Sequence, residues 1–210
     1  RRLRAAGEDD WPLGLRLRLF WEFWEAGIRK DRGDHWFGDI PWAGWQKGFP
    51  WPFALLPTDI NWTLATWAEI VFSLALLFGL FTRFAAFSLI IITMVATAAV
   101  HWPAEWSGFS GLWQGYVISA DGAGNYKLPL LFLIMLLPLL FHGGGAVSLD
   151  RLLVRMTRAA EARETGRVDA AGAAMALAIL GSAWVWVEPL WGGVFFVLAA
   201  IPGARLIVIR

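Results

Sequence analysis

The chain has 210 residues, of which 58% are hydrophobic and 17% charged, and a formal net charge of +1. Soluble domains usually carry about 25% charged residues, so an integral membrane protein is the expected class, with the lipid bilayer as its first partner. The near-neutral charge gives no reason to expect nucleic acid, and the absence of cysteine excludes disulfides, Cys–metal sites and dithiol redox chemistry.

No cleavable signal pattern is visible near the start. The first apolar segment, Trp11 to Ile28, carries Arg16, Arg18, Glu22 and Glu25. It makes a poor lipid-facing helix, and either an interior-facing first span or an interfacial helix fits. A Trp-, Gly- and Pro-rich loop follows, Arg29 to Asp59. Ile60 to Phe81 and Phe84 to Trp102 are each long enough to cross a ~30 Å hydrocarbon core, and the two residues between them predict a tight helical hairpin. A second such loop runs from Pro103 to Lys127. Leu128 to Phe141, extended to Gly145, makes a further span with a possible kink at Pro138. Asp150 to Asp169 reads as a charged surface helix, and Ala170 to Val187 with Leu190 to Ile209 as a second hairpin turning at Glu188 and Pro189.

The expected fold class is therefore all-α: a polytopic membrane bundle of about six spans. Its domains are a four-helix core over residues 1–158 and a connector plus C-terminal hairpin over 159–210. With the N-terminus inside, 13 of the 18 Lys and Arg residues fall on inner segments. Only Arg29, Lys30, Arg32, Lys47 and Lys127 fall outside. That bias predicts cytoplasmic N- and C-termini in a bacterial or archaeal inner membrane.

Two charges mark the apolar stretch Thr66 to Phe87. Glu69 and Arg83 stand fourteen residues apart, roughly 21 Å along a helix, so each needs its own partner. Thr66, Glu69 and Ser73 form one polar stripe, and Thr93, Thr97 and His101 another on the third span. Folding the hairpin about Arg83 sets Glu69 near the depth of Thr97, about one turn from His101. The first helix brings Glu25 and Lys30 toward the same outer half. A Glu–His–Lys group there suits proton exchange with a quinone carbonyl, because histidine can both donate and accept near neutral pH. Glu69 pairing with Lys30 or Arg29 simply to join two helices is the structural alternative. The expected site is thus Glu69, His101, Glu25 and Lys30 for chemistry, with Glu69, His101 and Thr97 holding the cofactor.

Haem is disfavoured, since His101 and His142 lie at opposite ends of their helices and His35 sits in a loop. No His- or Cys-based metal spacing and no phosphate loop are present. At the inner edge, Arg83 with Asp150 is the expected structural ion pair, Ser148 a candidate helix cap, and Arg151, Arg155 and Arg158 a headgroup-facing row.

Three elements, "FWEAGIRK" (Phe23–Lys30), "AEIVFSLALLFGLFTRFAAF" (Ala68–Phe87) and "HGGGAVSLDRLL" (His142–Leu153), occur in the order found in the DoxX/DoxD family of small membrane proteins. The resemblance covers roughly Leu15 to Leu153; Glu22, Glu25 and Gly144, where a proline is expected, depart from it. It implies a four-helix membrane bundle linked to quinone redox chemistry, the named example being a subunit of a thiosulfate:quinone oxidoreductase. Two functions follow as expectations. One is a quinone-linked oxidoreductase subunit whose electrons come from a partner protein. The other is a non-catalytic scaffold within a larger membrane complex, favoured by the small residues Gly172, Ala176 and Gly181 of the C-terminal hairpin. Transport is a third idea, because intramembrane charges also mark ion paths.

Overall fold

A computed structural model describes residues 2–32, 49, 51–102, 113, 115–116, 125–157 and 170–208, and all of their regular structure is helical. The chain divides into two compact units, Arg1–Ala160 and Glu161–Arg210.

In the first unit, helix α1 (Arg2–Arg32) continues through Pro12 and far past the expected segment. Its buried positions are Pro12, Arg16, Leu19, Phe23 and Gly27, a 4-3-4-4 spacing that keeps one face on the bundle. Helix α2 (Thr58–Phe78) buries Asn61, Trp62, Thr66, Glu69, Ile70, Ser73 and Leu76. Its opposite stripe of Ile60, Leu64, Trp67 and Val71 is exposed and wholly apolar. The two helices meet closely at Gly27, where a Cβ would stand 2.7 Å from Ile70 Cγ1 and 3.3 Å from the Thr66 carbonyl oxygen.

Gly79 ends α2 in the left-handed region at φ 63°, and the amides of Gly79 and Leu80 bond back to Leu76 and Ala75. Helix α3 (Thr82–Ala96) starts three residues later, after Phe81, which also has a positive φ of 48°. Its last stretch, Thr97–His101, widens into a π turn. Helix α4 (Lys127–His142) stops at Gly143, short of the expected Gly145, and continues through Pro138. Ser148 then accepts from the Arg151 amide at 3.2 Å, capping α5 (Leu149–Thr157), an amphipathic helix with no buried residue. Within the unit α1 packs on α2, α2 on α3, α3 on α4 and α4 on α1, closing a four-helix arrangement.

In the second unit, α6 (Ala170–Trp184) and α7 (Pro189–Val208) form a hairpin. Its contact is closest at glycines: a Cβ on Gly192 would stand 2.5 Å from Val185 Cα, and one on Gly181 3.1 Å from the Gly192 carbonyl oxygen. Small residues here serve the hairpin's own packing. By length and composition, Thr58–Phe78 and Thr82–Ala99 can cross a membrane; Lys127–His142, Ala171–Trp184 and Pro189–Gly203 are shorter apolar helices.

Candidate functional site

Two polar clusters lie inside the first unit. The outer one begins where Lys30, seven residues after Phe23 on the buried face of α1, reaches α2. Its Nζ donates to Glu69 Oε2 at 2.5 Å, with Glu69 7% exposed. A carboxylate inside an apolar bundle is costly unless paired, and Lys30 pairs it. His101, in the π turn of α3, hydrogen-bonds Asn125 Oδ1 through Nδ1, leaving Nε2 as the ring nitrogen not engaged by Asn125. Just before α4, Tyr126 packs against Trp102 at 5.7 Å between centroids, and Lys127 lies 4.8 Å over the Tyr116 ring.

Two cavities meet at these residues. A furrow of about 540 Å³ between α2 and α3 is walled by apolar side chains, with Lys30, Asn61, Glu69, Ser88 and His101 as its polar lining. A smaller chamber of about 170 Å³ is lined by Glu22, Glu69, Thr93, His101 and Asn125 among apolar neighbours. Glu69 and His101 border both. The larger volume falls within the ~300–1,000 Å³ range of small-molecule sites that combine apolar walls with a few polar groups. Lys30 offers a charged donor and His101 a ring nitrogen able to take or release a proton, so the residues fit a carbonyl-bearing head such as a quinone.

Several expected members stand elsewhere. Glu25 lies two residues beyond Phe23, about 200° around the helix, and pairs with Arg29 on the exposed side. It lines neither cavity. Thr97 is buried, but its hydroxyl donates to the Thr93 carbonyl at 2.7 Å and it too lines neither cavity. Glu69 shares its chamber with Ile92, Thr93, Ala96 and His101 of the third helix and its π turn. Glu22 and Asn125 were missed as contributors. Glu22 pairs with Arg18 at 2.5 Å and points one edge into the chamber. Asn125 belongs to the loop Pro103 to Lys127, where no site residue is expected from the sequence.

The inner cluster is built around Arg16, which is 1% exposed. Its guanidinium donates to the carbonyls of Leu76 (2.6 Å), Leu77 (2.7 Å), Gly144 (2.8 Å) and Val147 (2.6 Å). The first two are C-terminal carbonyls of α2, and that of Leu76 also accepts from the Gly79 amide at 3.1 Å. The expected Arg83–Asp150 ion pair is replaced by a different contact. Asp150 accepts from the backbone amides of Phe81 (2.6 Å) and Thr82 (2.9 Å), and its own amide donates to Gly79 O at 2.9 Å. A carboxylate suits the positive end of a helix, and α3 begins at that point. Arg83 is exposed and forms no ion pair among the described residues.

Exposed apolar stripes outside and bridged charges inside define a helical membrane protein whose core is a four-helix bundle. The sequence comparisons place it further. The DoxX family pattern matches residues 11–102. An uncharacterized protein of Haemophilus influenzae is 40% identical over 155 residues, which is 74% of this chain and 91% of the relative. The chain belongs to the DoxX family. No solved structure matches it significantly.

Proposed function

We propose that the protein is the membrane subunit of a quinone-linked oxidoreductase, of respiratory or sulfur-compound type, with the quinone head held between α1, α2 and α3 in the outer half of the bundle. The observation that carries this is the meeting of Lys30–Glu69 and His101–Asn125 along an apolar furrow of small-molecule size. A bound quinone supplies two-electron redox chemistry. The chain's own part is to hold the head beside Lys30 and to exchange protons through His101 and Glu69. Electrons on this reading come from a partner protein, with no dithiol in the chain to supply them. On this reading the chain spans the bacterial or archaeal inner membrane six times, with both termini cytoplasmic, as the Lys and Arg distribution favours.

A second reading is a non-catalytic scaffold, favoured by the completeness of the Lys30–Glu69 pair as a link between α1 and α2. The deciding experiment is gentle detergent purification, with identification of co-purifying subunits and extracted quinone, followed by quinone-reduction assays on Glu69→Gln and His101→Ala. Loss of reduction with normal membrane levels supports the redox reading. Loss of the protein itself from the membrane in both variants refutes it.

A further inference from the structure

The furrow has a shape that a head-group site alone does not need. Along α3 its lining runs from Phe84 to His101, seventeen residues or roughly 26 Å at 1.5 Å per residue, close to the ~30 Å thickness of a hydrocarbon core. Its polar lining is concentrated toward the outer and middle levels, at Lys30, Asn61, Glu69 and His101. Inward lie Phe72, Phe84, Phe87 and Ile91, with Ser88 the one polar residue among them. At the inner end Phe72 and Phe84 make an edge-to-face contact, with ring centroids 5.6 Å apart. The side is open: Leu64 and Phe84 line the furrow yet are 52% and 62% exposed. Ala65 and Ala68 on α2 and Ala96 and Ala99 on α3, each pair at i, i+3, provide its width.

Building on the quinone reading, we infer that this furrow is a lateral port for a long-tailed quinone. The head enters from the bilayer to Lys30–Glu69 and His101, and the tail lies in the apolar inner half and leaves sideways past Phe84 and Phe87. A water-soluble ligand would leave that half unfilled. The mouth opens between two helices whose exposed stripes are apolar, so the phase that reaches it is lipid.

The test uses the full chain in phosphatidylcholine nanodiscs with two probes: a benzoquinone carrying a photoreactive prenyl tail, and a tail-free benzoquinone followed by tryptophan quenching. Cross-links are expected on the segments 64–72 and 84–92. Ser88→Phe and, separately, Ala68→Leu should lower that labelling at least tenfold. Cross-links elsewhere, or labelling indifferent to both substitutions, overturn the port while tail-free binding keeps the quinone reading alive. Failure of both probes to bind overturns the quinone reading and the port with it. A phosphatidylcholine with a photoreactive acyl chain that labels the furrow and resists displacement by the tailed quinone makes it a lipid seat and overturns the port.

Discussion

The two polar clusters of the four-helix unit solve the same problem, polar groups in an apolar bundle, in opposite ways. The inner one joins a side chain to backbone: the Arg16 guanidinium gathers four carbonyls and the Asp150 carboxylate two amides. The outer one joins side chain to side chain, and its Glu69 and His101 border two cavities. Backbone partners cannot change rotamer or protonation state, so the inner cluster is suited to fixing geometry. Side-chain partners beside open volume can exchange one partner for a ligand. The difference separates what holds the bundle from what can act.

The largest expected effect lies at the inner cluster. Arg16→Met removes the donor to the Leu77, Gly144 and Val147 carbonyls, each costing about 1–3 kcal/mol when buried and unpaired, while Leu76 keeps the Gly79 amide. Even with partial relaxation, a loss on the order of 4 kcal/mol or more is expected, seen as a collapse of monodisperse protein after detergent extraction. Arg16→Lys should not restore it, because a compact ammonium cannot present the planar fork that reaches both the α2 terminus and the Gly144–Val147 segment. Restoration by lysine would mean that charge alone, and not the fork, holds the helices together.

Lys30→Met comes next. Stranding the Glu69 carboxylate should cost about 3 kcal/mol, and the double variant Lys30→Met/Glu69→Gln should recover most of it. Thermal unfolding of the purified protein measures both. On the proposed reading, quinone binding is lost in Lys30→Met and stays lost in the double variant although stability returns. No comparable neutralising pair exists at Arg16, so this dissociation of stability from binding is the sharpest expression of the contrast. If binding returned with stability, the outer pair would be no more than packing.

Gly79→Ala is a smaller probe of the inner cluster. The residue has φ 63°, and a Cβ would stand 2.6 Å from Ser148 Cβ and 2.7 Å from Arg16 Cζ. Left-handed backbone costs a non-glycine residue roughly 1–2 kcal/mol, and the contact with Arg16 adds to it. A drop of about 2 kcal/mol in unfolding free energy is expected, with quinone binding intact in the protein that folds.

The sequence carried the helical plan and the outer half of this contrast better than the inner. Long apolar runs, a tight hairpin and the cap at Ser148 were legible because period, length and turn chemistry are local signals, although the hairpin turns at Gly79–Phe81 and Thr82 and Arg83 already belong to α3. Lys30, Glu69 and His101 were found because a charge or histidine in an apolar run stands out. Arg16 stood out too, but as a burden on α1. Its meaning depends on carbonyls sixty and more than a hundred residues away, which no local pattern encodes. One clue was available: Pro12, Arg16, Leu19, Phe23 and Gly27 share a helical face, so Arg16 had to point where the core residues point. The Arg83–Asp150 pairing failed for a related reason. Opposite charges at one membrane level suggest a pair, whereas the two amides at the start of α3 offered Asp150 a nearer and better-oriented partner.

Helical phase also decides the smallest expected effect, which tests the outer cluster by a residue left out of it. Glu22 and Glu25 are three residues apart on α1, and only Glu22 reaches the chamber beside Glu69 and His101. Glu25 is paired with Arg29 at a site where the two side chains are 42% and 77% exposed. Exposed pairs of this i, i+4 kind contribute about 0.3–0.5 kcal/mol. Glu25→Gln is therefore expected to change unfolding by no more than that and to leave quinone affinity within twofold of the unmodified protein. Glu22→Gln, by contrast, should change quinone affinity by more than twofold on the proposed reading, because a carboxylate is removed from the chamber that Glu69 and His101 share. Equal responses to the two substitutions would mean that total charge on α1 matters and position does not. The division between a fixed inner cluster and an adjustable outer one would then lose its structural basis.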